Sequence, residues 1–209
     1  MHRFINAPSN HAFLSRAGYA GFFVVLLVLL YIPDPLGVVA RVFAGEQFHN
    51  WDLSVIGPPF AYDKGRLLEV DTTTRYGLGL PIVSAHLMNM LGGVTYPNLV
   101  KMLMWLCLGY YAAWFVLLKR WLGGVLLPAA AVLFVIRTQM FHEGAYPLVH
   151  TYPTMTVLRF FTDIIVFHLL WQYLNTHRRQ LLTWAGLACG FALFHMQAEG
   201  LYFMKIIDR

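Results

Sequence analysis

Between Phe48 and Tyr76 the chain reads FHNWDLSVIGPPFAYDKGRLLEVDTTTRY, and seven of its twenty-five charged residues fall in these twenty-nine positions. They are Asp52, Asp63, Lys64, Arg66, Glu69, Asp71 and Arg75. A carboxylate beside aromatic side chains loses part of its hydration, which raises its pKa toward the range where it can take a proton from a hydroxyl. Asp52, next to Trp51 and near Phe48, has that neighbourhood and is the first candidate base; the alternative is a solvated loop aspartate. Glu69 and Asp71 are separated by one residue, so in an extended segment they would point the same way. One of them could assist the base or hold a divalent metal. The chain has no HExxH, no DxD and no clustered histidines, and no metal site is assigned.

A second group of polar residues lies further on, in RTQMFHEGAYPLVHTYPTMT from Arg137 to Thr156, where His142 and Glu143 are the adjacent titratable pair. Arg159 follows, with Asp163 four residues later near the start of an apolar stretch. Such a pair costs several kcal/mol if exposed to lipid, so it should face a bundle interior or a wet cavity. It could equally be a structural ion pair holding two helices in register. His168 and His195 sit singly within apolar stretches and read as hydrogen-bonded scaffold.

These groups need elements to hold them, and the composition says which kind. The 209 residues are 58% hydrophobic, 16% aromatic and only 12% charged, with mean hydropathy +0.57. That is the profile of an all-α, polytopic helical membrane protein and not of a soluble domain. The net charge of +5 comes without any basic run longer than two residues, which argues against nucleic acid as a partner. Cys107 and Cys189 fall inside apolar stretches with no CxxC spacing and read as small core residues.

Hydropathy predicts about five transmembrane helices: Ala17 to Ile32, Leu99 to Leu118, Leu122 to Ile136, Val157 to Leu174 and Leu181 to Gln197. The first is read as an uncleaved anchor, with a cleaved signal peptide as the competing reading. Leu36 to Phe48 has the spacing of a helix lying on a bilayer surface. Leu78 to Leu91 is apolar but only fourteen residues long, about 21 Å as a helix against a hydrocarbon core of about 30 Å, so it is read as re-entrant or interfacial. With that segment not crossing, Arg3, Arg16, Lys119, Arg120, Arg178 and Arg179 are all cytoplasmic and the ten acids are not, as the positive-inside rule requires. The expectation is one membrane domain over 1–209, N-terminus cytoplasmic, with a long first outer loop over 33–98 that carries the candidate site. Tyr110, Tyr111, Trp114 and Trp121 are read as interface anchors.

The run His49-Asn50-Trp51-Asp52, then Gly57-Pro58, Gly65, Asp71 and Tyr76-Gly77, directly after the first span, resembles the first outer loop of the GT-C superfamily of integral membrane glycosyltransferases. The resemblance covers Ala17 to about Leu91, and the remainder only as a hydropathy pattern. It implies transfer of a sugar from a polyprenyl-phosphate-linked donor to an unknown acceptor hydroxyl on the non-cytoplasmic face of a plasma or inner membrane. It also implies Asp52 as catalytic base or acceptor-orienting residue, with Asp71 beside it, and it leaves dependence on a divalent metal open. Charge builds on the departing phosphate, so cations are needed there, and Arg75 and Arg159 are assigned to it. His49, Tyr76, His142 and Glu143 are assigned to substrate. Members of that superfamily typically have more spans, so the chain reads as an N-terminal part or a fragment that could need a partner subunit. The rival reading is a non-catalytic membrane subunit or small transporter built on Arg159 and Asp163.

Overall fold

A computed structural model describes residues 9–44, 55–72, 74, 77–140 and 161–195. The described residues form eight α-helices and no strand: α1 (Ser9–Leu30), α2 (Pro35–Ala44), α3 (Gly57–Asp63), α4 (Gly79–Met90), α5 (Tyr96–Leu122), α6 (Leu126–Met140), α7 (Asp163–Thr176) and α8 (Arg179–His195). The all-α expectation is met.

Helix α5 is the longest element, twenty-seven residues, or about 40 Å. Its start is set locally. The Thr95 hydroxyl accepts from the Asn98 N–H at 3.3 Å, Pro97 occupies the first turn, and the Asn98 side-chain amide donates to the Gly93 carbonyl at 2.9 Å. At its other end Lys119 and Arg120 sit in the last turn, where positive charge offsets the exposed carbonyls. Gly123, at φ 69° and ψ 172°, then takes a backbone conformation open mainly to glycine, which stops it.

The remaining long helices align along α5 in alternating directions. Lys119 Nζ lies 4.1 Å from the Tyr19 ring centroid, Phe22 stacks on Phe115 with centroids 4.0 Å apart, and the Ile32 N–H donates to Met104 Sδ at 3.3 Å. Helix α1 is therefore antiparallel to α5. Helix α7 runs parallel to it, since Tyr110 meets Asp163, Trp114 meets Phe167 and Trp121 meets Trp171. Helix α8 returns along α7, with Phe161 4.7 Å from the His195 ring and a small core of Val166, Cys189 and Ala192 between them. As a result Lys119, Arg120, Arg178 and Arg179 collect at one end of the bundle, and Asp34, Asp63, Glu69 and Asp71 at the other, where Arg41, Lys64, Arg66, Lys101 and Arg137 also lie.

The N-terminal half of α5 projects past α1 and is wrapped by the shorter helices. Val38 and Val42 of α2 are buried against it, and Phe43 meets Tyr96 at 5.0 Å. Helix α2 thus packs on a helix as well as showing the amphipathic spacing seen in its sequence. The segment expected to be re-entrant or interfacial is α4, twelve residues, or about 18 Å.

The expected count of five spans is not met. Among the described residues only α5 is long and apolar enough by itself to cross a bilayer, and the count rises to two if α1 and α2, bent by 43° at the intervening break, act as one. The reason is length: α6, α7 and α8 have fifteen, fourteen and seventeen residues, short of the roughly twenty that a 30 Å core demands. The helices are nonetheless apolar on their outer faces. Val28 is 74% exposed, Leu126 86% and Phe134 68%.

Phe115 is fully buried at the centre of the α1–α5 contact, touching Tyr19, Phe22 and Phe23. Phe115→Ala should lower unfolding stability by roughly 3 kcal/mol, because three rings lose their common partner and leave a cavity. Denaturant titration of the purified full chain measures it, with Val116→Ala on the exposed face of the same turn as the near-silent control.

Candidate functional site

The acid-rich stretch folds into a helix, a knot of turns and a second helix. Pro58 and Pro59 open α3 where missing N–H groups cost nothing, and Gly65 at φ 76° ends it. The expectation that Glu69 and Asp71 share one face of an extended segment is corrected. Glu69 has φ 64°, and the chain reverses there, the Glu69 N–H donating to the Thr72 carbonyl at 2.7 Å. Both carboxylates then fasten the turn: Asp71 Oδ2 accepts from the Leu67 N–H at 2.8 Å, and Glu69 Oε1 accepts from the Thr74 N–H at 2.8 Å and from the Thr74 hydroxyl. Asp71 is exposed. The turn chemistry outcompetes strand geometry because a short loop offers its own backbone donors to nearby carboxylates.

Asp63 joins the two helices. Its Oδ1 accepts from the Asn89 side-chain amide of α4 at 2.7 Å, while Lys64 Nζ lies 3.4 Å from its Oδ2 and 5.4 Å from the Phe60 ring centroid. Beyond the turn the chain passes close to the end of α8. A Cβ on Gly77, which has φ 130°, would sit 2.8 Å from the His195 carbonyl oxygen, and one on Gly79 2.8 Å from the His195 Cα. Only glycine permits this approach, so the loop is seated on the C-terminal end of α8.

Of the residues assigned from sequence, Asp71 lies in this turn. Asp52, His49, Arg75, Tyr76, His142, Glu143 and Arg159 lie outside the described residues. Among the described residues no group of three or more His, Cys, Asp or Glu could hold a metal ion.

The structure brings together a different set. Tyr110, Tyr111, Trp114, Leu118, Ala131, Val132, Val135 and Asp163 line a cavity of about 390 Å³ between α5, α6 and α7. The Tyr110 hydroxyl donates to Asp163 Oδ2 at 2.8 Å, and Asp163 Oδ1 is buried with no hydrogen-bond partner. Asp163 faces the interior, as its place in an apolar stretch required. The aromatic residues correct their expected role: instead of anchoring an interface, Tyr110, Tyr111 and Trp114 turn inward, and Trp121 packs between Trp114 and Trp171. The signal for this was the spacing, since 110, 114, 118 and 121 follow one face of a helix.

Comparisons with protein-family models, with curated proteins and with solved structures found no match to this chain. The GT-C resemblance therefore rests on the residues quoted for it alone.

The hydrogen bond from Asn89 holds the Asp63 carboxyl below its ordinary value of 3.8, the nearby Lys64 adding to it. A carboxyl depressed in the folded state contributes stability above its unfolded pKa, and that contribution is lost as the pH falls through the folded value. Asn89→Leu should therefore destabilise the α3–α4 unit slightly at pH 7, and the gap between variant and wild type should close below about pH 4. Amide hydrogen exchange of α3 and α4 across pH, compared at matched intrinsic rates, reads it.

Proposed function

We propose that this chain is an integral membrane protein that transfers a sugar from a polyprenyl-phosphate-linked donor to an acceptor hydroxyl, with the acid-bearing end of the bundle on the non-cytoplasmic side. The observation that carries the reading is that one end of the bundle, with Lys119, Arg120, Arg178 and Arg179, has no acid among the described residues, whereas Asp34, Asp63, Glu69 and Asp71 lie at the other end together with Arg41, Lys64, Arg66, Lys101 and Arg137. An acid-free basic end is what the positive-inside rule expects on the cytoplasmic side. Exposed apolar side chains along α1, α6 and α8 suit contact with lipid. Helix α5, and α1 with α2 if the bent pair acts as one, are the candidates for crossing the bilayer, with α4 on the outer side.

In this reading Asp52 takes the acceptor proton as the acceptor oxygen attacks the anomeric carbon and the lipid phosphate departs with the electron pair of the broken bond. Asp71 assists, Arg75 and Arg159 take the charge that builds on the phosphate, and His49, Tyr76, His142 and Glu143 contact substrate. The Gly77–Gly79 contact with α8 seats on the bundle the chain that follows the Asp71 turn. If the chain works as one part of a larger enzyme, transfer requires a partner subunit.

A second reading has its own support. The Tyr110–Asp163 cavity lies within the helices and not in the loop, as suits a small transporter or a binding subunit. The two readings part on one comparison. Under sugar transfer, Asp52→Asn should lower transfer from a radiolabelled polyprenyl-phosphate sugar in membranes by about 100-fold or more with expression unchanged. Under the second, Asp52→Asn is silent and Asp163→Asn is not.

Orientation is tested separately. In a background lacking Cys107 and Cys189, Thr72→Cys should react with a membrane-impermeant maleimide on intact cells, and Arg178→Cys only after permeabilisation. The reverse pattern removes the orientation and with it the proposed reaction.

A further inference from the structure

The cavity between α5, α6 and α7 is at odds with its own electrostatics. It contains one carboxylate, Asp163, of which Oδ2 is satisfied by the Tyr110 hydroxyl while Oδ1 is buried and accepts nothing. Among the described residues no lysine, arginine or histidine lines it, Arg159 lying outside them. A buried carboxylate with a free oxygen and no counter-charge among the described residues is costly in an apolar surrounding, so the site as described is electrostatically incomplete.

Its walls indicate what completes it. The Tyr110 and Tyr111 rings meet at 76° with centroids 5.2 Å apart and form a corner, and Trp114 is one turn along the same helix from Tyr110 and also lines the space. Aromatic rings attract cations through the negative potential of their faces, most strongly where water is excluded. A metal ion would want several oxygen ligands in place of rings, and an anion would be repelled by the carboxylate. The volume of about 390 Å³ admits a small organic molecule, with Val132 and its neighbours on α6 offering an apolar wall to alkyl groups.

We infer that this cavity binds a small organic ammonium group, paired with Asp163 Oδ1 and surrounded by Tyr110, Tyr111 and Trp114. The inference rests on the helical bundle and its interior cavity, and is independent of sugar transfer. An ammonium group could arrive free in solution or as the headgroup of a lipid entering from the side; the contacts at the site are the same.

The probe is choline, set against its uncharged carbon isostere 3,3-dimethylbutan-1-ol. The purified full chain is placed in phosphatidylglycerol nanodiscs and tryptophan emission is followed, Trp114 lying at the site. Choline should shift the emission saturably, and the neutral isostere should bind about tenfold more weakly or less well still. Asp163→Asn should weaken choline by at least about tenfold. Ala131→Phe, which fills the cavity and leaves the carboxylate in place, should abolish the response, and it stands in if Asp163→Asn elutes as aggregate. Repeating the titration in phosphatidylcholine nanodiscs identifies the source. A lost choline response there means that lipid headgroups occupy the site, and an unchanged one means a free amine. Equal binding of choline and its isostere, or a choline response that survives Ala131→Phe, overturns the inference. Absence of choline binding with sugar transfer intact removes this site and leaves the transferase reading standing.

Discussion

The structure depends on the burial of one rod. Helix α5 is contacted over its length by different partners at different heights: α2 and α4 around its first turns, α1, α6 and α7 lower down. Leu99, Leu103 and Phe115 on it are fully buried. A twenty-seven-residue helix pairs all its backbone groups internally except those at its two ends, where Thr95 and Gly123 cap it. The other helices are placed by where its apolar rings and small residues lie.

That arrangement produces two polar regions of different character. At the acid-bearing end the carboxylates are exposed and spent on local turns, so their stabilising effect is modest and readily replaced by water. Inside the bundle a single carboxylate has one satisfied oxygen and one idle oxygen among aromatic walls. Surface carboxylates keep a loop in shape, whereas an interior one imposes a requirement on whatever enters. The glycine contact at 77 and 79 joins the loop to the bundle, because a backbone lying directly on the end of α8 leaves little freedom for independent movement.

Much of this was legible in the order of residues. The apolar runs located every long helix, although α1 begins eight residues earlier than expected and α7 six later; the two basic pairs anticipated one cationic end, and an aspartate in an apolar stretch pointed inward. The count of spans was overstated, however. Apolar runs of fifteen to eighteen residues were read as crossings, and α6, α7 and α8, at fifteen, fourteen and seventeen residues, fall short of the length a crossing needs. Glu69 misled for another reason: alternating residues suggest a strand, but a positive φ and carboxylates bonding to nearby N–H groups are decided by closure of the turn.

The sequence by itself determined that the chain is helical and strongly apolar, since this follows from composition and from contacts three and four residues apart. Only the tertiary structure decided that Tyr110, Tyr111 and Trp114 turn away from the surface to meet Asp163. Periodicity names a face of a helix without naming its neighbour, and residues fifty-three positions apart meet only once α7 is laid parallel to α5.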